Sequence, residues 1–214
     1  MNIYHLPKLV KAVIFDIDLT LYDNHQYYDS QKELFMNRLS QHFGVSHDEI
    51  IDKVKAIRED FSRLNKTGSL SLGQTVFKMG ISLEENAKWR NELFKPEEFL
   101  EPDLKLVNTL EKLQNRFKLA AATNNSTNIA LRTLKVLGVS EFFPIVIGVD
   151  ISKESKPTLK PFSMISDKLN IPLNQIVSIG DRFTIDLELP LKNGMGGILI
   201  EQITDVYELP SILS

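Results

Sequence analysis

The hydrophobic residues of the chain follow two patterns: short unbroken apolar runs, and longer segments in which apolar residues recur every three or four positions. Unbroken runs are typical of strands that are covered on both faces of a sheet, and the wider spacing is typical of amphipathic helices. The clearest run extends from Ala12 to Phe15. Four further runs predict strands at 118–122, 144–149, 175–179 and 197–200.

From residue 118 onward the predicted strands alternate with short helices. The spacing predicts helices at 126–137, 161–169 and 184–192, and a further helix at 103–115 precedes the second strand. Alternation of this kind indicates a parallel sheet with helices packed on both of its faces. The predicted fold class is therefore α/β, with a doubly wound, Rossmann-like parallel sheet.

Between the first two strands the chain shows only helical spacing. A crossover needs about a dozen residues, usually one helix, and this segment is far longer. Two of its four predicted helices have apolar stripes, and the other two begin at Ser71 and Ser82, each followed three positions later by Gln or Glu as in a capping box. The first stripe is Tyr28, Leu34, Phe35, Leu39 and Phe43, and Gly44 ends its helix. The second stripe is Ile50, Val54, Ile57, Phe61 and Leu64, and Ser46 with Glu49 begins its helix. We therefore predict a core of residues 1–22 and 99–214, interrupted by an all-helical domain at 23–98.

The composition narrows the range of partners. Of the 214 residues 43% are hydrophobic, the net charge is −3 and there is no cysteine. Without a basic face a nucleic acid polymer is not expected as a partner, and without cysteine neither disulfides nor thiolate metal sites can form. No apolar run approaches the roughly 18 residues of a membrane span, and residues 1–11 lack the apolar centre of a signal peptide. We expect a cytoplasmic protein, either monomer or homodimer; the tail after Gln202 predicts no element.

Polar residues that could carry chemistry follow the predicted strands, beginning with Asp16, Asp18 and Thr20. Side chains alternate along an extended chain, so both acids point to the same side at the carboxyl end of the first strand, where open α/β sheets bind ligands. Two carboxylates about 4 Å apart repel by roughly 4 kcal/mol at an effective dielectric near 20. The pair therefore indicates a bound cation, a shared proton or a reaction, and the alternative is an ordinary turn with local side-chain caps.

Two further polar segments offer contacts for an anion. Thr123-Asn124-Asn125 follows the second strand and leads into a helix, whose N-terminal amides can bind a phosphate; the alternative is an ordinary helix cap. A lysine-rich loop follows the third strand, and a fixed lysine there would offset negative charge, although most loop lysines are solvated. The loop holds three lysines between which the residues alone do not decide, Lys153, Lys156 and Lys160.

The fourth segment, Gly180 to Asp186, supplies two more acids. Asp181 lies at the predicted strand end and Asp186 follows about one helical turn later, where the alternative is a helix cap and an exposed acid. Carboxylates without cysteine or histidine suit Mg²⁺. Together with Asp16 and Asp18 these acids predict a metal-assisted phosphoryl-transfer site with an aspartate nucleophile.

These four segments, in this order along the whole chain, resemble the haloacid dehalogenase superfamily, in its phosphatase branch with a helical cap inserted after the first motif. The resemblance implies that Asp16 attacks phosphorus, that Asp18 acts as acid and base, and that Lys156, rather than Lys160, offsets charge, because Phe162 stands six positions after it. It also implies phosphate contacts from Thr123, Asn124 and Lys156, and a Mg²⁺ site formed by Asp16, the main-chain carbonyl of Asp18, Asp181 and Asp186. Two residues depart from the usual pattern, Leu19 in place of glycine or asparagine and Ile185 before Asp186.

The function that the resemblance implies is Mg²⁺-dependent hydrolysis of a small phosphomonoester, of the nucleotide or sugar phosphate class, through an aspartyl-phosphate. The alternatives are a phosphosugar mutase of the same family and a non-catalytic member that binds a phosphorylated ligand. Dehalogenation is disfavoured because family dehalogenases lack the second acid that Asp18 provides. Substrate contacts are predicted in the helical domain and near it, at Tyr22, His25 and the loop 65–69.

Overall fold

A parallel sheet forms the centre of the part of the chain that the computed structural model describes, residues 1–65 and 70–213. The described strands are β1 Asn2–His5, β2 Ala12–Phe15, β3 Lys118–Ala122, β4 Ile145–Ile147, β5 Ile176–Gly180 and β6 Gly196–Leu199. They form one sheet in the order β1-β6-β5-β2-β3-β4. All neighbours run parallel except β1, which lies antiparallel to β6 at the edge.

Helices of very different lengths surround the sheet. In the described residues they are α1 His25–Phe43, α2 His47–Asn65, α3 Leu72–Lys78, α4 Leu83–Leu93, α5 Leu104–Gln114, α6 Thr127–Val136, α7 Val149–Ser152, α8 Lys160–Leu169, α9 Glu188–Lys192 and α10 Ile203–Ile212. Short 3₁₀ turns lie at Pro96–Glu98, Ser140–Phe142 and Leu173–Gln175, and a π-helical turn at Phe183–Leu187. None of the helices in the described part of the chain combines the length and hydropathy that crossing a membrane requires.

Alternate residues of β2 pack on opposite faces of the sheet. Val13 and Phe15 belong to one buried cluster, with side chains of α5, α6 and α10. Ala12 and Ile14 belong to a second, with Phe162 and other residues of α8. Burial on both faces explains why this strand is uniformly apolar, since every side chain lies in a core. The doubly wound α/β fold predicted from the sequence is confirmed.

The helices α1 to α4 lie between β2 and α5, and we call them the helical insert. They enclose a hydrophobic cluster of their own, which includes Phe35, Ile50, Trp89 and Phe94. The predicted capping box at Ser71 is present, since the Ser71 and Gln74 side chains each accept a hydrogen bond from the other's main chain. The division into a core and an inserted domain at residues 23 and 98 stays a prediction.

The helical insert contacts the sheet-bearing part of the chain along α6. Ile129 of α6 is buried in the cluster of the insert. The Ser126 hydroxyl donates to Asn91 Oδ1 on α4 at 2.5 Å, and Arg132 on α6 forms an ion pair with Glu97 at 2.6 Å. The end of the sheet that carries the predicted site residues is therefore covered by α1, α3 and α4.

The edge strand β1 and the C-terminal helix α10 are among the elements that were not predicted. The strand β1 is exposed along its whole length, so it lacks the apolar run that marks the other strands, and pairing with β6 holds it in place. The helix α10 contains Pro210, which interrupts the expected helical pattern, yet Val206 and Leu209 are buried in the core. Both elements depend on tertiary contacts, which the local sequence pattern does not reveal.

Several predicted boundaries and stripes were wrong. The strand expected at 144–149 ends at Ile147, and Val149 begins the short helix α7. The stripe of α1 begins at Tyr27 rather than Tyr28, and Leu34 is 40% exposed. Leu64 at the end of α2 is 80% exposed, because this end of the helix extends beyond the apolar cluster of the insert. The single helix expected at 184–192 is a π-helical turn followed by α9.

Candidate active site

Three carboxylates meet at the carboxyl ends of β2 and β5. Phe15 pairs with Ile179 across these two strands, so Asp16 and Asp181, which follow closely, leave the sheet side by side. Asp186 returns to the same place from the π-helical turn. One oxygen from each of these three acids lies within 4.8 Å of the others. We call Asp16, Asp181 and Asp186 the acidic triad.

A wide helical turn and a glycine bring Asp186 into the triad. The Asp186 amide donates to the carbonyl of Arg182, and the Arg182 amide donates to Asp186 Oδ2 at 3.1 Å. Ser178 Oγ also donates to the Asp186 carbonyl, at 2.8 Å. A Cβ atom at Gly180 would lie 2.5 Å from the Cβ of Asp186, closer than side chains pack. Only glycine therefore allows Asp186 to approach the strand so closely.

Lys156 is buried between two acids of the triad. Its side chain is 1% exposed, and Nζ lies 2.8 Å from Asp16 Oδ1 and 2.6 Å from Asp186 Oδ1. Burial lowers the pKa of Lys156, but the two carboxylates outweigh burial and the pKa lies above its usual value. Asn124 holds the lysine backbone, because its side chain donates to the Lys156 carbonyl at 2.9 Å and accepts from the Lys156 amide at 2.6 Å. Lys153 and Lys160, the other candidates, are exposed.

The triad carries more negative charge than its neighbours balance. Arg182 lies 3.5 Å from Asp181 Oδ1 and 3.9 Å from Asp16 Oδ2, without hydrogen-bonding geometry to either. Asp16 Oδ2 and Asp181 Oδ1 are buried with no hydrogen-bond partner among the described residues. Burial and the nearby Asp16 raise the pKa of Asp181 to about 7. Unpartnered carboxylate oxygens in an oxygen-only cluster are suited to a divalent cation such as Mg²⁺.

Asp18 lies apart from the triad, on the side of the helical insert. Its Oδ1 accepts from the Tyr22 hydroxyl at 2.7 Å, and its Oδ2 accepts from Asn125 Nδ2 at 2.7 Å. Burial and the charge of Asp18 raise the pKa of Tyr22 well above its usual value, so the hydroxyl keeps its proton. Both oxygens of Asp18 thus face neutral donors.

Thr123 and Asn124 lie at the end of β3, next to β2 in the sheet. Thr123 is 3% exposed, and its hydroxyl oxygen accepts from the main-chain amide of Asn125 at 3.0 Å. The helix cap predicted as the alternative for this segment falls one residue later, since Ser126 Oγ accepts from the Ile129 amide. Thr123 and Asn124 therefore precede the cap and border the acids.

The family follows from a match along most of the chain. A sequence model of haloacid dehalogenase-like hydrolases matches residues 10–189, a span that includes every acid and the lysine described above. The chain belongs to the haloacid dehalogenase-like hydrolase family. The resemblance inferred from the four segments, and the prediction that the chain is an enzyme of the hydrolase class, are confirmed.

Relatives of this hydrolase act on phosphate esters. The 5-amino-6-(5-phospho-D-ribitylamino)uracil phosphatase YigB of Escherichia coli (strain K12) is 24% identical, over 91% of this chain and 85% of its own length. The ribulose-1,5-bisphosphate 5-phosphatase of Halopiger xanaduensis is 26% identical, over 84% and 80%. The crystal structure of a HAD phosphatase from Thermococcus onnurineus has a TM-score of 0.64 at 22% identity, covering 96% of this chain and 98% of that chain. The last likeness shows a shared fold.

The residues predicted to contact substrate lie in different places relative to a cavity near the acids. A cavity of about 70 Å³ lies between the helical insert and the acids, lined by Asp18, Arg90 and Arg182 among others. His25 is exposed at the start of α1 and does not line the cavity, and Tyr22 bonds to Asp18. Of the predicted loop 65–69, residues 66–69 and the side chain of Asn65 lie outside the described residues.

Three residues near the acids were not predicted. Arg182 directly follows Asp181, and this adjacency was a signal that could have identified it. Asn125 follows Thr123 and Asn124 in a segment predicted to be either an anion site or a helix cap, and no role was predicted for its side chain. Arg90 lies in the last turn of α4, and no sequence pattern distinguishes it from a surface arginine.

Proposed function

We propose that this hydrolase is an Mg²⁺-dependent phosphatase, which releases inorganic phosphate from a small phosphomonoester through an aspartyl-phosphate. The observation that carries the proposal is the position of two acids from one strand end. Asp16 lies beside Lys156 and belongs to the acidic triad, whereas Asp18 faces Tyr22 and Asn125. A nucleophile and a proton carrier need such separate surroundings.

In the first step an oxygen of Asp16 attacks phosphorus, and the bond between phosphorus and the leaving oxygen breaks. Lys156 Nζ, 2.8 Å from Asp16 Oδ1, offsets negative charge on the nucleophile and the phosphoryl group. Asp18 donates its proton to the leaving oxygen, which departs as a neutral alcohol.

In the second step Asp18 takes a proton from a water molecule whose oxygen attacks the phosphorus of the aspartyl-phosphate. The bond between phosphorus and Asp16 breaks, inorganic phosphate is released, and Asp16 regains its carboxylate. Asp18 is then protonated again, so the cycle needs no other proton donor.

The remaining predicted residues fit binding roles. The Thr123 hydroxyl oxygen accepts from the Asn125 amide, which leaves its own proton to donate to a phosphate oxygen, together with the Asn124 amide. Asp16, Asp181 and the main-chain carbonyl of Asp18 would hold Mg²⁺. Asp186 would reach it through water, because its two oxygens already accept hydrogen bonds. When bound, the ion offsets the charge of the carboxylates and the phosphate.

A groove next to the cavity supports a leaving group of sugar or nucleoside size. It has a volume of about 580 Å³, runs along α1 and α2, and shares Tyr28 and Arg182 with the cavity. Apolar side chains such as Ile51 line it together with basic and acidic ones, including Arg58 and Glu59. Such a mixture suits a metabolite with a ring and polar groups. We therefore propose a sugar phosphate or nucleotide as the substrate, and expect the enzyme to act in the cytoplasm.

A panel of sugar phosphates, nucleotides and aryl phosphates, assayed for phosphate release, tests the proposal. We expect release with Mg²⁺ and none with EDTA, and the variant Asp16→Asn, folded by circular dichroism, should show no turnover. Absence of release from the whole panel by folded protein would contradict the proposal. An isomerised sugar phosphate in place of free phosphate would instead indicate a mutase, and tight binding without turnover a ligand-binding protein.

A further inference from the structure

Arg90 of the helical insert is a buried cation that points toward the sheet. Its side chain is 8% exposed and packs on the rings of Phe35 and Phe94, with its guanidinium carbon 5.0 and 5.6 Å from their centres. Nε donates to Asn86 Oδ1 at 2.7 Å. No acid forms an ion pair with Arg90 among the residues that the structure describes, although burying an unpaired charge is costly. Its position therefore calls for a functional explanation.

A chain of two hydrogen bonds connects Arg90 to Asp18. Arg90 Nη1 donates to Asn125 Oδ1 at 2.6 Å, and Asn125 Nδ2 donates to Asp18 Oδ2 at 2.7 Å. Because arginine only donates and a carboxylate only accepts, these two partners determine which way the Asn125 amide faces. The backbone of Asn125 is itself fixed, since its amide bonds to Thr123 and its carbonyl accepts from Val149.

We propose that Arg90 is a positioning residue that orients Asp18 through Asn125, so that the acid faces the leaving oxygen only while the helical insert lies against the sheet. The inference rests on the proposed function of Asp18 as acid and base. Tyr22 holds one oxygen of Asp18 and Asn125 the other. Arg90 stands on a different part of the fold from Asn125, so separation of the two parts breaks the contact.

Charge and packing support this role. Burial lowers the pKa of Arg90 to about 10, while the charge of Asp18 opposes this shift, so Arg90 stays protonated at neutral pH. Asn91, the next residue on α4, also contacts the sheet-bearing part, but its side-chain oxygen accepts from Ser126 and Asn128, and neither is an acid. The neighbouring contact therefore provides a matched control that holds the insert without reaching Asp18.

Two aryl esters of similar size show whether Arg90 positions Asp18 or only stabilises the fold. Phenyl phosphate needs protonation of its leaving oxygen far more than p-nitrophenyl phosphate does, and kcat/KM reports the steps up to formation of the aspartyl-phosphate. We expect Arg90→Met, which keeps apolar packing on the two rings, to lower kcat/KM about tenfold more for phenyl phosphate than for p-nitrophenyl phosphate. Asn91→Ala should lower the two values equally or not at all.

A double mutant tests whether Arg90 acts through Asn125. We expect Asn125→Ala to show the same preferential loss, and the double variant with Arg90→Met to be within about twofold of Asn125→Ala alone. All variants are compared at saturating Mg²⁺, with folding checked by circular dichroism.

Three results would overturn the inference while the wild-type enzyme remains active. They are an equal loss on both esters, a rise in KM alone, which would indicate that Arg90 binds the substrate, and losses that multiply in the double variant. If the wild-type protein turns over neither aryl ester nor any other ester of the panel, the proposed function itself fails, and the inference fails with it. If it turns over other esters but neither aryl ester, the same variants are compared on the most active ester of the panel, and a kcat/KM for Arg90→Met no lower than that for Asn91→Ala overturns the inference alone.

Discussion

Asp16 and Asp18 leave the same strand two residues apart, yet their surroundings differ. Asp16 is 3% exposed and bonds to the ammonium group of Lys156 at 2.8 Å. Asp18 is half-buried, and among the residues that the structure describes its side chain accepts hydrogen bonds from the neutral donors Tyr22 and Asn125, both at 2.7 Å. The difference arises because the chain turns directly after β2, which leaves one acid with the sheet and sends the other toward the helical insert.

The comparison shows how one short segment can supply two kinds of acid. Fixed cations around a carboxylate favour charge developing on that group and on the phosphate it attacks. Neutral donors around the other carboxyl group are compatible with the proposed role, in which it gains and loses a proton in each cycle. The two acids should therefore respond differently to substitution, to metal and to pH.

The largest expected effect separates proton transfer from metal binding. Asp18→Asn removes the proton carrier but keeps the main-chain carbonyl, so turnover should fall by about 10²- to 10⁴-fold while the Mg²⁺ affinity changes little. Asp181→Asn, which removes an acid of the triad, should instead weaken Mg²⁺ binding. Phosphate release and titration calorimetry measure the two quantities. If Asp18→Asn lost as much Mg²⁺ affinity as Asp181→Asn, Asp18 would not differ from the triad as a proton carrier differs from a metal ligand.

A smaller effect concerns the close packing of Asp186. Gly180→Ala places a Cβ 2.5 Å from the Cβ of Asp186 and must displace it, so Mg²⁺ affinity should fall by about tenfold, as for loss of an outer-shell partner. Gly73→Ala is the control. Its Cβ would lie 2.9 Å from the hydroxyl oxygen of Ser155, which can rotate away, and the next nearest atoms belong to Asn86 and Ser71 rather than to an acid. Equal Mg²⁺ affinity in both variants would show that Asp186 does not need this glycine.

The pH dependence of Mg²⁺ binding follows from the pKa of Asp181, which burial and Asp16 raise to about 7. This value lies above that of an unfolded aspartate, so ionising Asp181 opposes folding of the metal-free protein as pH rises from about 4 toward 7. Mg²⁺ needs the ionised form, so its affinity should rise by up to about tenfold per pH unit below 7 and level off above it.

Thermal unfolding with Mg²⁺ and with EDTA checks this dependence at pH 6 and pH 8. The increase in Tm caused by Mg²⁺ should be larger at pH 8. With EDTA, the Tm should not rise between pH 6 and pH 8. An increase in Tm that is the same at both pH values would show that no proton leaves the triad when the ion binds.

The acids of the triad could be located from sequence because parallel strands deliver their carboxyl ends to one edge, whereas for Lys156 this rule gives only the loop, and the family resemblance chose it among the three lysines there. Each of these acids follows a strand that the apolar runs reveal, so their meeting depends only on the fold class. The rule places residues at an edge but does not give their hydrogen bonds. It therefore did not reveal that the side chain of Asp18 bonds to Tyr22 and Asn125, while its main-chain carbonyl stays a predicted ligand of Mg²⁺.

The residues that face Asp18 could not be predicted for a physical reason. Arg90 lies 35 positions from Asn125, and their contact depends on how the helical insert packs. Asn125 lies 107 positions from Asp18 and meets it only because β2 and β3 are neighbours in the sheet. No local periodicity encodes that packing. The same holds for Tyr22, which was predicted to contact substrate, because an aromatic residue after a strand carries no sign of which polar group its hydroxyl will meet.

The smallest expected effect concerns Leu19, which follows Asp18 in the turn that separates the two acids. Its φ of 55° is in the left-handed region, where a side chain costs about 1–2 kcal/mol, and this explains why glycine or asparagine is commoner there. Leu19→Ala loses packing and keeps the strain, whereas Leu19→Gly loses the same packing and releases it. We therefore expect the free energy of unfolding of Leu19→Gly, measured by urea denaturation, to exceed that of Leu19→Ala by about 1 kcal/mol. At most positions alanine is the more stable of the two residues. Equal stability of the two variants would mean that the positive φ at residue 19 causes no strain that glycine relieves.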